Sequence, residues 1–460
     1  MNYFNLYAIS PIDGRYSQDT SKLKNIFSEY AFLKFRTTIE IRWLQKLSSI
    51  PEIFKLDKLN QLDNEILNNI IKHFNYDDAK YIKTIEKTTQ HDVKAIEYFL
   101  KNKISYKLFN HSILNFIHFA CTSEDINNLA YANMMQTTRI NLLIPYWENI
   151  IFNIRNIAFK FQNISMLSRT HGQSASPTTV GKEMSNFYYR MYRQLKQLKK
   201  IKIFGKINGA TGNYNAHVIA YPMLNWYQIS KEFVTSLNIH WNPCTTQIEP
   251  HDYISELLSC IIRFNIILIN FNQDIWGYIA LNYFNQHNNL NEIGSSTMPH
   301  KINPIHFEKS EGNLGLSNAI MNHMISKLPI SRWQRDLTDS TVLRNLGVAI
   351  SYSIISYKSL LLGLKKITIN YNTIKKDLSN KWELLSEPIQ IVMKKHGINN
   401  AYEKLKLLTK GKQMNSILIH QYIDSLKIPN QEKIKLKKIT PNNYIGNSIK
   451  ITKNIYNITQ

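Results

Sequence analysis

The chain has 460 residues, a hydrophobic fraction of 43%, an aromatic fraction of 12% and a formal net charge of +23, which excludes a disordered chain and leaves room for about three domains around a sizeable core. Only 15 Gly and 13 Pro interrupt it, against a turn-rich all-β design, and Cys121, Cys244 and Cys260 have neither CxxC nor metal-ligand spacing, which fits a reducing cytoplasm. The positive charge is spread along the chain instead of forming one arm for nucleic acid. It reads as the compositional bias of a chain rich in Lys, Asn, Ile and Tyr, with anionic substrates as a second contribution.

In chain order, SPIDGRYS at 10–17 reads as a loop broken by Pro11 and Gly14, and it carries Asp13, Arg15 and Tyr16. Phe32, Phe35, Ile39, Trp43 and Leu47 recur every three or four residues, one face of a helix. TTQHDVKAIEYFL at 88–100 reads as a helix start capped by Thr88 or Thr89, with Ile96, Phe99 and Leu100 facing inward. His91 and Asp92 then lie near a helix N-terminus, where backbone N–H groups favour anions. Longer stripes follow: Met184, Phe187, Met191, Leu195 and Leu198, then Ile254, Leu257, Leu258, Ile261 and Phe264, both read as core. RMYRQLKQLKKIKIFGK at 190–206 reads as a solvated helix face. GKINGATGNYNAH at 205–217 is Gly-rich but fits neither the P-loop nor the dinucleotide fingerprint.

The N-terminus lacks the basic-then-apolar pattern of a signal peptide. The most apolar helix candidate, 261–271, is interrupted by Arg263, Asn265 and Asn270, and no stretch is expected to reach the ~18 apolar residues of a membrane span. The last region is Lys-rich, with breaks expected at Pro388, Gly397, Pro429 and Pro441. The predicted fold is all-α, with domains at 1–110, 111–364 and 365–460, the middle one a bundle of long helices.

Polar segments interrupt this pattern: SPIDGRYS, TTQHDV, HFACTSEDINN (118–128), SRTHGQSASP (168–177), GSSTMPHKINP (294–304) and SRWQRDLTDSTVLRN (331–345). Each holds Arg, His, Ser or Thr near predicted helix ends. One at a time, caps, ion pairs and structural histidines account for them. In GSSTMPHKINP the backbone at Gly-Ser-Ser bends freely, Pro299 stiffens the middle, and Lys301 and Asn303 offer a cation and an amide to a carboxylate.

GSSTMPHKINP meets every fixed position of Gly-Ser-Ser-x-Met-Pro-x-Lys-x-Asn-Pro, the signature loop of the fumarase/aspartase superfamily, which this chain resembles. CTSEDINN and SRTHGQSASPTTVGKE match that superfamily's two other segments. With DGRY and WQRDLTDSTVLRN, the match runs over essentially the whole chain. His300 makes the loop similar to that of the adenylosuccinate lyase family, in the branch typified by enteric bacteria. The resemblance implies an α-helical, three-domain protomer and a cytoplasmic homotetramer with active sites shared between protomers. It implies two β-eliminations on purine nucleotides: adenylosuccinate to AMP and fumarate, and the succinylaminoimidazole-carboxamide ribotide (SAICAR) to the carboxamide ribotide (AICAR) and fumarate. It implies no metal or organic cofactor, and neither nucleic acid nor membrane as partner.

By position, Ser295 matches the family's general base and His171 its general acid. A neutral serine needs its deprotonation assisted, and Lys301 is close in sequence. An imidazole, with an ordinary pKa near ~6.5, is tuned across neutrality by a carboxylate, and Glu308 matches a family Glu near that histidine. Lys301, Asn303, Thr122, Ser123 and Ser296 match positions that hold the succinyl carboxylates. Arg15, Tyr16, Arg335, Ser340 and Arg344 match phosphate and ribose contacts, with Thr341 among the binding positions. His91, Asp92 and Gln247 match positions near the reacting group and base. Gln90 and Lys309 stand where close relatives are expected to carry Asn; Gln90 keeps the amide, whereas Lys309 adds charge. Argininosuccinate lyase and aspartase are the enzymatic alternatives, opposed by His300 and the Arg-rich 332–344 segment. A non-catalytic basic binding protein is the other, opposed by the joint presence of Ser295, His171, Lys301 and Asn303.

Overall fold

Long apolar stripes with few breakers fold as long helices. The computed structural model describes residues 6–53, 56, 58–105, 111–287, 296–409, 411 and 414–458. Helices α1 (Ser21–Phe27), α2 (Glu29–Ser48), α3 (Gln61–Lys72), α4 (Tyr76–Thr89) and α5 (Asp92–Ser105) come first. Then follow α6 (Ser123–Thr138), α7 (Ile144–Lys160), α8 (Val180–Lys200), α9 (Asn215–Ala220), α10 (Trp226–Ser236), α11 (Asp252–Ala280), α12 (Ile305–Lys327), α13 (Thr338–Leu343) and α14 (Leu346–Lys366). The chain ends with α15 (Tyr371–Ser379), α16 (Ser386–Lys395), α17 (Ala401–Thr409), α18 (Ser416–Ser425), α19 (Asn430–Lys437) and α20 (Ser448–Ile458). Among the described residues the strands form three two-stranded sheets: β1 (Ser165–Thr170) antiparallel to β2 (Gln173–Thr179), β3 (Phe204–Gly205) parallel to β4 (His240–Trp241), and β5 (Phe284–Gln286) antiparallel to β6 (Ile367–Ile369). The fold is all-α in character, as predicted.

The chain divides into two compact units. The first takes residues 1–146, 195–266 and 312–358, and the second 147–194, 267–311 and 359–460. The predicted stripes are core. Phe32, Ile39, Trp43 and Leu47 of α2 are buried, with Phe35 half-buried, and both later stripes are buried throughout.

Several expectations change. The helix at 88–100 begins at Asp92, because α4 runs through Thr89 and Gln90 closes it with a left-handed backbone (φ 52°). The cap of α5 is therefore His91, whose Nδ1 accepts from the Lys94 N–H at 3.1 Å, and not a threonine. SRTHGQSASP is not a helix end but the turn and strands of the β1–β2 hairpin. Pro388 is no break: it lies in the first turn of α16, where no intrahelical N–H is required. Gly397 (φ 70°) does follow α16, and Pro429 precedes α19.

Against expectation, Asp252–Ala280 and Thr338–Lys366 are long and apolar enough to cross a membrane, yet both are mostly buried inside the protein. Polar residues within them are paired with each other and with α12. Asn265 Nδ2 donates to Ser353 Oγ (2.9 Å) and Asn318 Oδ1 (3.0 Å), and Tyr357 OH donates to Asn265 Oδ1 (2.6 Å). A satisfied network of this kind specifies how core helices pack.

Candidate active site

In the first unit, the start of α6 is built around one carboxylate. Asp125 Oδ2 accepts from the backbone N–H groups of Thr122 (2.9 Å) and Gly209 (3.0 Å). Its Oδ1 accepts from the Asn208 N–H (3.0 Å) and Lys206 Nζ (2.8 Å). Both charged side chains are completely buried. Lys206, read from sequence as one more residue of a solvated basic run, thus locks the Gly-rich 205–212 loop against the Thr122–Ser123 corner. The loop needs its glycines: at Gly212 (φ 81°) a Cβ would lie 2.3 Å from the Thr245 carbonyl oxygen. Removing one member of a buried pair strands the other charge. Lys206→Met is therefore expected to destabilise the protein by about 3–5 kcal/mol, measured as a lower urea midpoint; an unchanged midpoint would refute the role given to this pair.

The same corner reaches the arginine segment. Glu124, beside Ser123, pairs with Arg335 Nη2 at 3.0 Å, and Arg335 Nη1 donates to Gln247 Oε1 at 3.1 Å. Gln247 Nε2 in turn donates to the Ala210 carbonyl at 2.9 Å. Burial pushes the Glu124 carboxyl above the usual range, against the pull of Arg335 and His251. Asp339 approaches Arg335 (4.0 Å) and His251 (3.5 Å), and its Oδ1 accepts from the Ser340 N–H at 2.6 Å. Thr341 is exposed on α13. A cavity of about 350 Å3 is lined by Ala210, Thr211, Gln247, Arg335 and Asp336. Arg335 Nε is buried and has no hydrogen-bond partner among the described residues.

A second cluster gathers Asp92, Arg344, Arg36 and Glu29. Arg36 is buried, with its guanidinium 3.7 Å from the Phe32 ring centre. It donates to Asp92 Oδ2 at 2.7 Å and to Asn127 Oδ1 at 2.8 Å. Burial raises the Asp92 carboxyl, but Arg36 and the Val93 N–H outweigh it and hold Asp92 below the usual range. Arg344 lies 3.8 Å from Asp92 and 3.6 Å from Glu29. It also lines two cavities, one of about 290 Å3 with Asp13, Lys24 and Ser351, and one of about 220 Å3 with Glu29, Phe32 and Tyr131. Arg15 is exposed, and Tyr16 half-buried, in the turns beside Asp13. Gln90 and His91 are exposed, and the Gln90 amide donates to the Lys87 carbonyl at 2.8 Å.

The second unit holds His171, Ser296, Lys301, Asn303, Glu308 and Lys309. Thr170 pairs with Gln173, leaving His171 (φ 52°) and Gly172 (φ 75°) as the two turn residues. Two successive positive φ values make a type I′ turn, whose twist matches a β-hairpin. Gly suits the second position. A histidine at the first puts an exposed imidazole at the hairpin tip. Ser296 and Lys301 are exposed, with Asn303 half-buried before α12. Glu308, in the first turn of α12, accepts from Trp276 Nε1 at 3.1 Å, and Lys309 is half-buried one residue on. Ser295 and Gly294 lie outside the described residues.

The residues that sequence reasoning passed over, Arg36, Asp125, Lys206 and Glu124, act on other protein groups. In sequence they are ordinary charged residues on helices or in a basic run; burial, which periodicity reports only for apolar residues, is what sets them apart.

The chain matches the family profile described as Lyase over residues 14–318, and that described as Adenylosuccinate lyase C-terminal over 331–445. It is 60% identical over 446 residues to the adenylosuccinate lyase of Buchnera aphidicola subsp. Schizaphis graminum, covering 97% of this chain and 98% of that one. It is 56% identical over 454 residues to that of Escherichia coli K12, covering 98% of each. Among solved structures, a fumarate lyase from Mesorhizobium sp. BNC1 shares the fold, with a TM-score of 0.77 at 14% identity over 95% of this chain and 97% of that one. The chain belongs to the adenylosuccinate lyase family of carbon–nitrogen lyases.

Proposed function

We propose that this chain eliminates fumarate from adenylosuccinate and from SAICAR, with Ser295 as base and His171 as acid. The base removes a proton from the carbon beside a carboxylate. The resulting aci-carboxylate carries extra negative charge and needs preorganised donors; Lys301, Asn303, Thr122, Ser123 and Ser296 supply them. The acid then protonates the departing nitrogen. Arg335 and Arg344, with Arg15, Tyr16, Ser340 and Thr341, hold the nucleotide, and Gln90, His91, Asp92, Gln247 and Lys309 complete the site. Glu308 tunes His171.

The observation that carries this reading is the convergence in the first unit. Segments near 92, 122, 247 and 335–344 meet through Arg335, Gln247, Glu124, Asp92 and Arg344. Forked guanidiniums held by carboxylates beside cavities suit a phosphorylated, carboxylated substrate. The protomers form a cytoplasmic homotetramer with shared sites and three domains, at 1–110, 111–364 and 365–460. Exposed apolar residues on long helices, among them Phe152, Ile266, Trp276, Leu316 and Leu362, support the association of helices between copies.

Purified protein assayed in parallel on adenylosuccinate, SAICAR, argininosuccinate and aspartate is expected to release fumarate from the first two alone. Comparable release from either of the others would overturn the assignment.

A further inference from the structure

A two-stranded ribbon is marginal in water by itself and holds its direction only through what it touches. Polar contacts anchor the β1–β2 ribbon in the second unit, and Thr178 Oγ1 of β2 donates to Glu183 Oε1 of α8 at 2.7 Å. At the ribbon's base, Ser165 Oγ donates to the Asn442 carbonyl at 2.6 Å. Along β2, Ser176 Oγ donates to the Glu387 carboxylate. Nearest the tip is Arg169, two residues before His171. Its Nη2 pairs with Asp377 Oδ2 at 2.6 Å, and its Nη1 donates to Tyr283 OH at 3.0 Å. Tyr283 OH donates to the same Asp377 oxygen, closing a three-membered ring of contacts.

The partners of Arg169 are themselves fixed. Tyr283 is 1% exposed, its ring lies parallel to that of Tyr278 with centroids 6.0 Å apart, and its carbonyl accepts from the Asn370 N–H at 2.8 Å. Asn370 caps α15, the helix that carries Asp377, so Tyr283 and Asp377 belong to one frame. Tyr283 is pushed up to about 12, mainly by burial, and so remains a donor. Burial raises the Asp377 carboxyl, but hydrogen bonds from Tyr283 and Arg169 outweigh it and keep the group ionised. Packing secures the base of the ribbon, where Met166 and Leu167 are buried, but Arg169 and Thr170 border a cavity of about 470 Å3.

We propose that Tyr283 and Asp377 are positioning residues: through Arg169 they aim the hairpin tip, and with it the His171 imidazole, at the departing nitrogen. The inference rests on the reading of His171 as general acid. A tip displaced by about 1 Å costs on the order of 10²-fold in rate, and a clamp acts on kcat and not on nucleotide affinity.

Tyr283→Phe removes one hydroxyl and Asp377→Asn one charge, each with little change of volume. Each is expected to lower kcat by about tenfold or more, with KM changed less than twofold. In a His171→Asn background the same substitutions are expected to change kcat no further, since no acid remains to be aimed. Unchanged kcat in both single variants would overturn the clamp, as would an equal fold-loss in the His171→Asn background, which marks a general structural effect. If His171→Asn by itself retains near-normal kcat, the assignment of the acid fails, a result separable from failure of the clamp.

Discussion

Replacing Ser295 or His171 is expected to cost about 10²–10⁴-fold in turnover, the usual contribution of a positioned acid or base, while the fold persists. For His171 the cleanest substitution is Asn. The imidazole is exposed at the tip of the hairpin, so no core contact is lost. The backbone there has φ 52°, and Asn tolerates positive φ better than most residues, so the type I′ turn is expected to survive with only the imidazole lost. His171→Ala makes the same chemical change at a small added cost to the turn. Ser295→Ala deletes one oxygen. Initial rates of fumarate release, read beside melting temperatures, separate chemistry from folding. Near-normal release by Ser295→Ala removes Ser295 as base, and near-normal release by His171→Asn removes His171 as acid.

The second large effect belongs to Arg344. Its side chain is 48% exposed, and its contacts to Glu29 and Asp92 are long, at 3.6 and 3.8 Å. Exposed pairs of this kind contribute at most about 1 kcal/mol, so Arg344→Gln is expected to leave stability nearly unchanged. A hydrogen bond between charged groups is worth about 1.5–3 kcal/mol. Losing one to a substrate phosphate is expected to raise KM for both nucleotides about tenfold to a hundredfold, with a smaller change in kcat. Unchanged KM for both would remove Arg344 from the nucleotide site. Arg335 is a less clean target, because its loss also strands the buried Glu124 carboxylate.

The sequence by itself determined the helical architecture and the chemistry. Apolar residues three and four apart can be buried together only on a helix, and the stripes on α2, α8 and α11 are core as read. The GSSTMPHKINP loop and its companion segments carry their family in the residues themselves, because the fixed positions of the signature are all present in the chain. What only the tertiary structure decided is which charges are buried and what they hold. Lys206 and Lys199 belong to the same basic run, yet Lys206 is sealed against Asp125 while Lys199 is exposed on α8. Arg169 could be any strand arginine until Asp377, more than two hundred residues away in the chain, meets it. Local patterning reports periodic burial of apolar groups; the pairing of distant polar groups depends on which elements come into contact, and only the folded chain brings them together.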